Sequence, residues 1–435
     1  MIDYVNIMLT GVQSLLALAA GWACARWRAL DSEPAVQQLN LFVLRVCIPA
    51  LQVWLLAVKT DMRRKENWSV LCAFLSWSLG LQLLCAAGQL AARRRIDRAR
   101  LAVESLVLTT NNTGILGPVV LEAALGPRYA PLGMLATVVL YFQQLPSAAV
   151  LFDAAQRAQK SEEHELLLPS VKAGAEAEGG AGRRRGGGAL AGARGRGPHD
   201  IVVCSGGGGV HSSTAASTAP AAAPTAATAA ALAAATVAAA APQSGTADRG
   251  ERGPVAAAAV AAAPGGGGAL LMMARNPMVW STAAALLLSC LGSAVILEPT
   301  SPRHLRALGF VEPLLRWFAG CTAPVTLFCT GLWAEGQEAA KGPGQRELTT
   351  FLVLRATLAP ALMALIARLS GFHGDMAVAL VILSILPVAQ TAFVICKQYE
   401  TGTHAITAAM VASLLLMLPQ LVGTLALLER WGAFL

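Results

Sequence analysis

Runs of about twenty apolar residues recur along this chain, and few folds are open to a run of that length. They fall at 5–25, 36–58, 67–91, 101–125 and 130–152, and again at 278–298, 307–333, 349–370, 375–397 and 403–428. A helix needs about that length to cross a hydrocarbon core of about 30 Å. Backbone amides in lipid must be satisfied internally, and continuous apolar runs without two-residue alternation select helices over barrel strands. Composition agrees: 55% of the 435 residues are hydrophobic and 13% are charged, against about a quarter charged in soluble domains. The expected fold class is an all-α membrane protein of ten transmembrane helices, five on each side of a long interruption.

That interruption, 153–270, is Ala/Gly-rich, with GGAGRRRGGGALAGARGRG, SGGGG and Ala/Thr/Pro tracts from 213 to 242. It has no periodic large apolar residues to offset the entropy of ordering, so it reads as a disordered loop between halves 1–152 and 271–435. The net charge of +8 does not signal nucleic-acid binding, because the Arg and Lys residues collect at helix ends, where they orient membrane proteins. Arg26, Arg28, the cluster Arg93 to Arg100, the loop and Lys397 predict an outside N-terminus and a cytoplasmic loop. Lys59, Arg63, Arg64 and Lys65 run against that bias. Five spans per half is an odd number, so the halves insert with opposite orientation, as in inverted-repeat transporters. The nine cysteines are scattered in apolar runs and read as small buried hydrophobes. The first run lacks the basic flank and cleavage site of a removable signal.

Two spans are interrupted at corresponding places, the fourth of each half. The first carries Thr109-Thr110-Asn111-Asn112-Thr113-Gly114 and then Gly117-Pro118; the second carries Leu386-Pro387-Val388-Ala389-Gln390-Thr391. Proline removes an amide donor, and Asn, Thr and Gly weaken a helix interior. Within lipid such breaks are tolerated only where protein or a water-filled cavity covers them. A matched pair points to a substrate site, and the exposed half-helix N-termini favour an anion. The bland alternative is an ordinary proline kink with Asn as interhelical glue.

The remaining intramembrane polar groups divide similarly. Arg45 either faces a cavity or snorkels to an interface. Gln52, seven residues on, lies along the same face. Gln143 and Gln144 either line a cavity or bond neighbouring helices. Arg355, Asp375 and Lys397 read as charges at helix ends. No metal cluster, P-loop or nucleophile motif is present, so neither a metal nor another cofactor is expected, nor enzymatic activity.

Several segments resemble the auxin efflux carrier family, the PIN-FORMED carriers of plants and their algal and microbial relatives. They are ARNPMVWSTAAALL (274–287), LFCTGLW (327–333), LRATLAPALMAL, GFHGDMAVALVILSILP (371–387) and FVICKQYETG (393–402), with LNLFVLRVCIPAL (39–51) and NNTGILGPVVLEAALG (111–126) in the first half. The resemblance is strongest from 274 to 402 and absent from the loop. It implies two inverted five-helix repeats with crossovers in spans four and nine, export of indole-3-acetate or a related organic anion across a plasma or endoplasmic reticulum membrane, and a homodimer in the lipid bilayer. By resemblance Asn112 is a substrate contact at the first crossover and Pro387 marks the second. Gln52 falls where plant members have Ser, and Gln143 or Gln144 stands for a fifth-span Gln. Asn111 replaces a family Pro, Val388-Ala389 replaces a polar-Gly pair, and the third span lacks an internal acid that would partner Arg45 as a support. The expected substrate site is thus Asn111, Asn112, Gln52, Gln143, Gln144, Pro387 and Gln390, with Arg45 as charged support. The competing readings are an ion-coupled carrier of another monocarboxylate and a membrane receptor that transports nothing.

Overall fold

The computed structural model describes residues 3–30, 32–161, 276–297, 308–336, 345–430 and 432. Its helices are α1 (Tyr4–Arg26), α2 (Pro34–Val58), α3 (Lys65–Arg93), α4 (Arg98–Thr109), α5 (Leu116–Leu125) and α6 (Pro127–Ser161). They continue with α7 (Pro277–Leu291), α8 (Ser293–Leu297), α9 (Val311–Gly336), α10 (Gln345–Leu369), α11 (Gly374–Ser384), α12 (Gln390–Gln398) and α13 (Thr403–Arg430). All belong to one compact unit formed by residues 1–159 and 251–435, α6 ending two residues beyond it. Six of them, α1, α2, α3, α6, α13 and the Leu348–Leu369 part of α10, are long and apolar enough to cross a membrane. The chain is therefore an all-helical membrane protein, with no strand among the described residues. Residues 153–161, assigned to the loop from sequence, continue α6; the rest of that loop lies outside the described residues.

Local chemistry sets where the helices start and stop. Asp3 caps α1 by accepting the Asn6 amide at 3.0 Å, and Asp97 caps α4 by accepting the Arg100 amide at 3.1 Å. Asn276 accepts the Met278 amide at 3.0 Å ahead of Pro277 in the first turn of α7. Gly292, at φ 83°, closes that helix in the left-handed conformation. Two of the basic residues that run against the charge bias, Lys59 and Arg63, have partners at this end. Arg63 donates to the Leu291 carbonyl at 2.6 Å, which satisfies the C-terminus of α7, and Lys59 lies 3.8 Å from Glu312.

Helix α1 packs closely on α9. A Cβ added to Gly21 would sit 2.0 Å from the Phe328 carbonyl oxygen, and one added to Gly331 would sit 2.0 Å from that of Leu18. Between helices in lipid, where no hydrophobic force drives association, small residues allow this backbone approach and its dispersion contacts. Elsewhere Trp77 of α3 is buried and donates to the Ala359 carbonyl of α10 at 2.9 Å. At the opposite end from Lys59, Tyr399 donates to Asp153 at 2.9 Å and stacks on Phe152. Burial, and then the Asp153 carboxylate, push the Tyr399 hydroxyl up, so it stays protonated and donating at neutral pH.

Buried side chains form two apolar clusters. One holds Phe74, Trp77, Leu108, Leu121, Leu135, Val139, Leu383 and Leu386; the other holds Val103, Val107, Leu140, Phe152, Val388, Ile395 and Met410. The division falls between Val107 and Leu108, between Val139 and Leu140, and between Leu386 and Val388. At that level lie the buried polar residues Thr109, Thr110, Asn111, Thr137, Arg355 and Ser384. A polar belt midway along the helices separates the two cores, and both sequence interruptions sit in it.

Candidate functional site

Segment 101–125 is broken between Thr109 and Leu116, and segment 375–397 between Ser384 and Gln390. At Thr110 and Ala389 the backbone is extended, with ψ of 90° and 143°. The two breaks bond to each other. The Asn112 amide donates to the Pro387 carbonyl at 2.8 Å and the Ala389 amide to that of Thr110 at 2.9 Å, making Asn111 and Val388 an isolated antiparallel bridge. The Val388 amide donates to Ser413 Oγ of α13 at 3.1 Å. Buried backbone groups freed by proline and by helix termination need partners, and here each break supplies them to the other. Around this bridge lie the C-termini of α4 and α11 and the N-termini of α5 and α12.

Arg355 departs from its sequence-based reading as a helix-end charge. It is 1% exposed in the interior of α10. Its guanidinium donates to the Val107 carbonyl at 2.5 Å, to Asn111 Oδ1 at 2.6 Å and to the Leu386 carbonyl. The physical reason is that carbonyls at the ends of α4 and α11 present partial negative charge, which a cation can satisfy as well as an interface can. One side chain thus bonds both breaks. Asn111 completes the junction, its Nδ2 donating to the carbonyls of Leu383 at 2.8 Å and Ser384 at 2.9 Å.

The neighbouring Asn112 is placed differently. It is half-buried, its backbone is held in the bridge, and its carboxamide makes no hydrogen bond among the described residues. Pro387 gives its carbonyl to the bridge, and Gln390 opens α12 with its Nε2 donating to Thr330 Oγ1 of α9. The other predicted residues stand apart from the bridge. Gln52 is fully buried and accepts from Ser281 of α7, with its Nε2 lacking a partner. Gln143 accepts from Ser78 at 2.7 Å and donates to Gln82 at 3.0 Å, both on α3, the arrangement of interhelical glue. Gln144 is buried with its Oε1 unpartnered. Arg45 is exposed on a π-helical turn, Val43–Cys47.

Two chambers flank the belt. One, of about 390 Å³, runs from Ile115 and Pro118 at the start of α5 to Lys59, Glu122, Glu312 and Arg316. The other, of about 80 Å³, runs from Gln390 along α12 to Lys397. Trp333 and Phe393 line it with ring centroids 5.1 Å apart, and Asn40 adds a carboxamide. Each chamber therefore begins at the N-terminus of a half-helix, where amides lack intrahelical acceptors and the dipole is positive. No group of three His, Cys, Asp or Glu side chains suited to a metal occurs among the described residues.

A family model described as "Membrane transport protein" matches residues 266–424, a little over a third of the chain. The chain is 26% identical over 156 residues to "Probable auxin efflux carrier component 5a" of Oryza sativa subsp. japonica, covering 36% of this chain and 41% of that protein. It is 28% identical over 126 residues to "Auxin efflux carrier component 5" of Arabidopsis thaliana, covering 29% and 36% respectively. The chain is thus similar, over part of its length, to auxin efflux carrier proteins. It spans about two fifths of the length of these curated relatives.

Proposed function

We propose that this protein is a secondary carrier that exports an organic anion, indole-3-acetate or a related carboxylate. In this reading the chain forms ten spans as two inverted repeats, with α4–α5 and α11–α12 as the crossovers. The observation that carries it is the bridge between Asn111 and Val388, from which the N-termini of α5 and α12 each open onto a chamber. A carboxylate at the bridge accepts hydrogen bonds from the free first-turn amides and from the Asn112 carboxamide. The apolar body of the anion packs on Trp333 and Phe393, and Lys397 draws it in from the other end of that chamber. Asn111, locked to Arg355 and α11, holds the frame.

Such a carrier needs no coupled ion. An anion crossing a membrane potential gains about 2.3 kcal/mol per 100 mV, so a cytosol-negative potential drives export. Replacing Asn112 by Ala removes the unpartnered carboxamide and leaves the backbone bridge intact. Flux of radiolabelled indole-3-acetate in membrane vesicles should fall roughly tenfold or more, the effect of losing one hydrogen bond to a charged group. Flux equal to wild type, at equal protein in the membrane, removes Asn112 from the mechanism.

A further inference from the structure

Arg355 is a buried cation with no anion beside it among the described residues. Among the described residues no carboxylate lies within 4.0 Å of it, and its three partners are neutral oxygens, two carbonyls and one carboxamide. Its Nε is buried without a partner. Charges taken out of water are ordinarily paired or neutralised, because isolating one costs several kcal/mol. A chain that keeps an unpaired guanidinium between two apolar cores retains its field there. That field is weakly screened and acts on whatever occupies the bridge, one residue along the backbone from Asn111 and from Leu386.

We infer that Arg355 sets the charge selectivity of the crossing: a fixed positive charge, bonded to both helix breaks and out of reach of the substrate, makes the site prefer a carboxylate over a neutral molecule of the same shape. This rests on the carrier reading above and adds to it the source of the anion preference. The half-helix N-termini contribute partial charges that any polar ligand can use; Arg355 contributes a whole one. It is a positioning residue and not a substrate contact. Three of its donors are engaged, and it is 1% exposed.

The test is calorimetric titration of the purified full chain with indole-3-acetate and with the neutral indole-3-acetamide, comparing their dissociation constants. A merely structural role weakens both ligands alike, whereas a charge role changes their ratio. Wild type should favour the acid roughly tenfold or more, and Arg355→Gln should lower that preference by roughly tenfold, weakening the acid far more than the amide. Arg355→Lys should keep the preference while weakening both ligands, since the charge remains and the bridging fork does not. Asn111→Asp supplies a second route, placing a carboxylate against the intact guanidinium and cancelling its field; it decides the matter if Arg355→Gln does not fold. An unchanged acid-to-amide ratio in Asn111→Asp and in any folded Arg355→Gln overturns the inference and leaves the carrier standing. Failure of wild type to bind the acid overturns the carrier reading, and the inference with it.

Discussion

Asn111→Leu should cost about 3 kcal/mol of stability, while Asn112→Leu at the adjacent position should cost less than about 1 kcal/mol. The two residues are chemically identical and their surroundings are opposite. Leu at 111 leaves one Arg355 donor without its acceptor and the Leu383 and Ser384 carbonyls without their donors. Losing a hydrogen bond to a buried charged group costs about 1.5–3 kcal/mol, and stranding buried carbonyls adds to that. Leu at 112 breaks no side-chain hydrogen bond among the described residues, and the backbone bond from Asn112 to Pro387 remains. Unfolding in detergent micelles measures both. Equal losses would mean that the frame does not distinguish the two residues.

The second large effect is steric. Gly21→Leu or Gly331→Leu should destabilise the protein by about 3 kcal/mol, because the new Cβ would meet a carbonyl oxygen at 2.0 Å in either case. Overpacking that can be relieved only by backbone movement lies at the upper end of its usual range. Gly423→Leu is the matched control: it lies in α13 with nothing within 4 Å of an added Cβ, and should change stability by less than about 1 kcal/mol. The same unfolding assay reads all three.

Much of this was legible in the chain itself. The apolar runs mark the helices because lipid leaves few alternatives, and Asn111-Asn112 with Pro387 mark the breaks because those residues are poor helix formers wherever they sit. What the sequence does not carry is which way a side chain faces. Arg355 reads as a helix-end charge because it lies near the start of a hydrophobic run. Its real partner, Asn111, is 244 residues away in sequence, and no local pattern encodes that contact. Similarly, adjacent Asn111 and Asn112 cannot be told apart until α4 is known to end at Thr109, which sets the direction in which each of the two side chains leaves the backbone. Gln143 was open between a cavity and a helix contact; Ser78 and Gln82 of α3 decide its hydrogen bonds, and both belong to another span. The positive charges at 59–65 looked misplaced by charge bias alone. Arg63 has a reason to be there once the end of α7 is seen beneath it.

The most direct measurement is uptake of labelled indole-3-acetate into liposomes containing the purified protein, under an imposed potassium diffusion potential. If a free anion crosses at the bridge, each 100 mV, positive inside, should raise accumulation at equilibrium by roughly fiftyfold, the equivalent of about 2.3 kcal/mol. No uptake above protein-free liposomes, or uptake indifferent to the potential, would contradict the account.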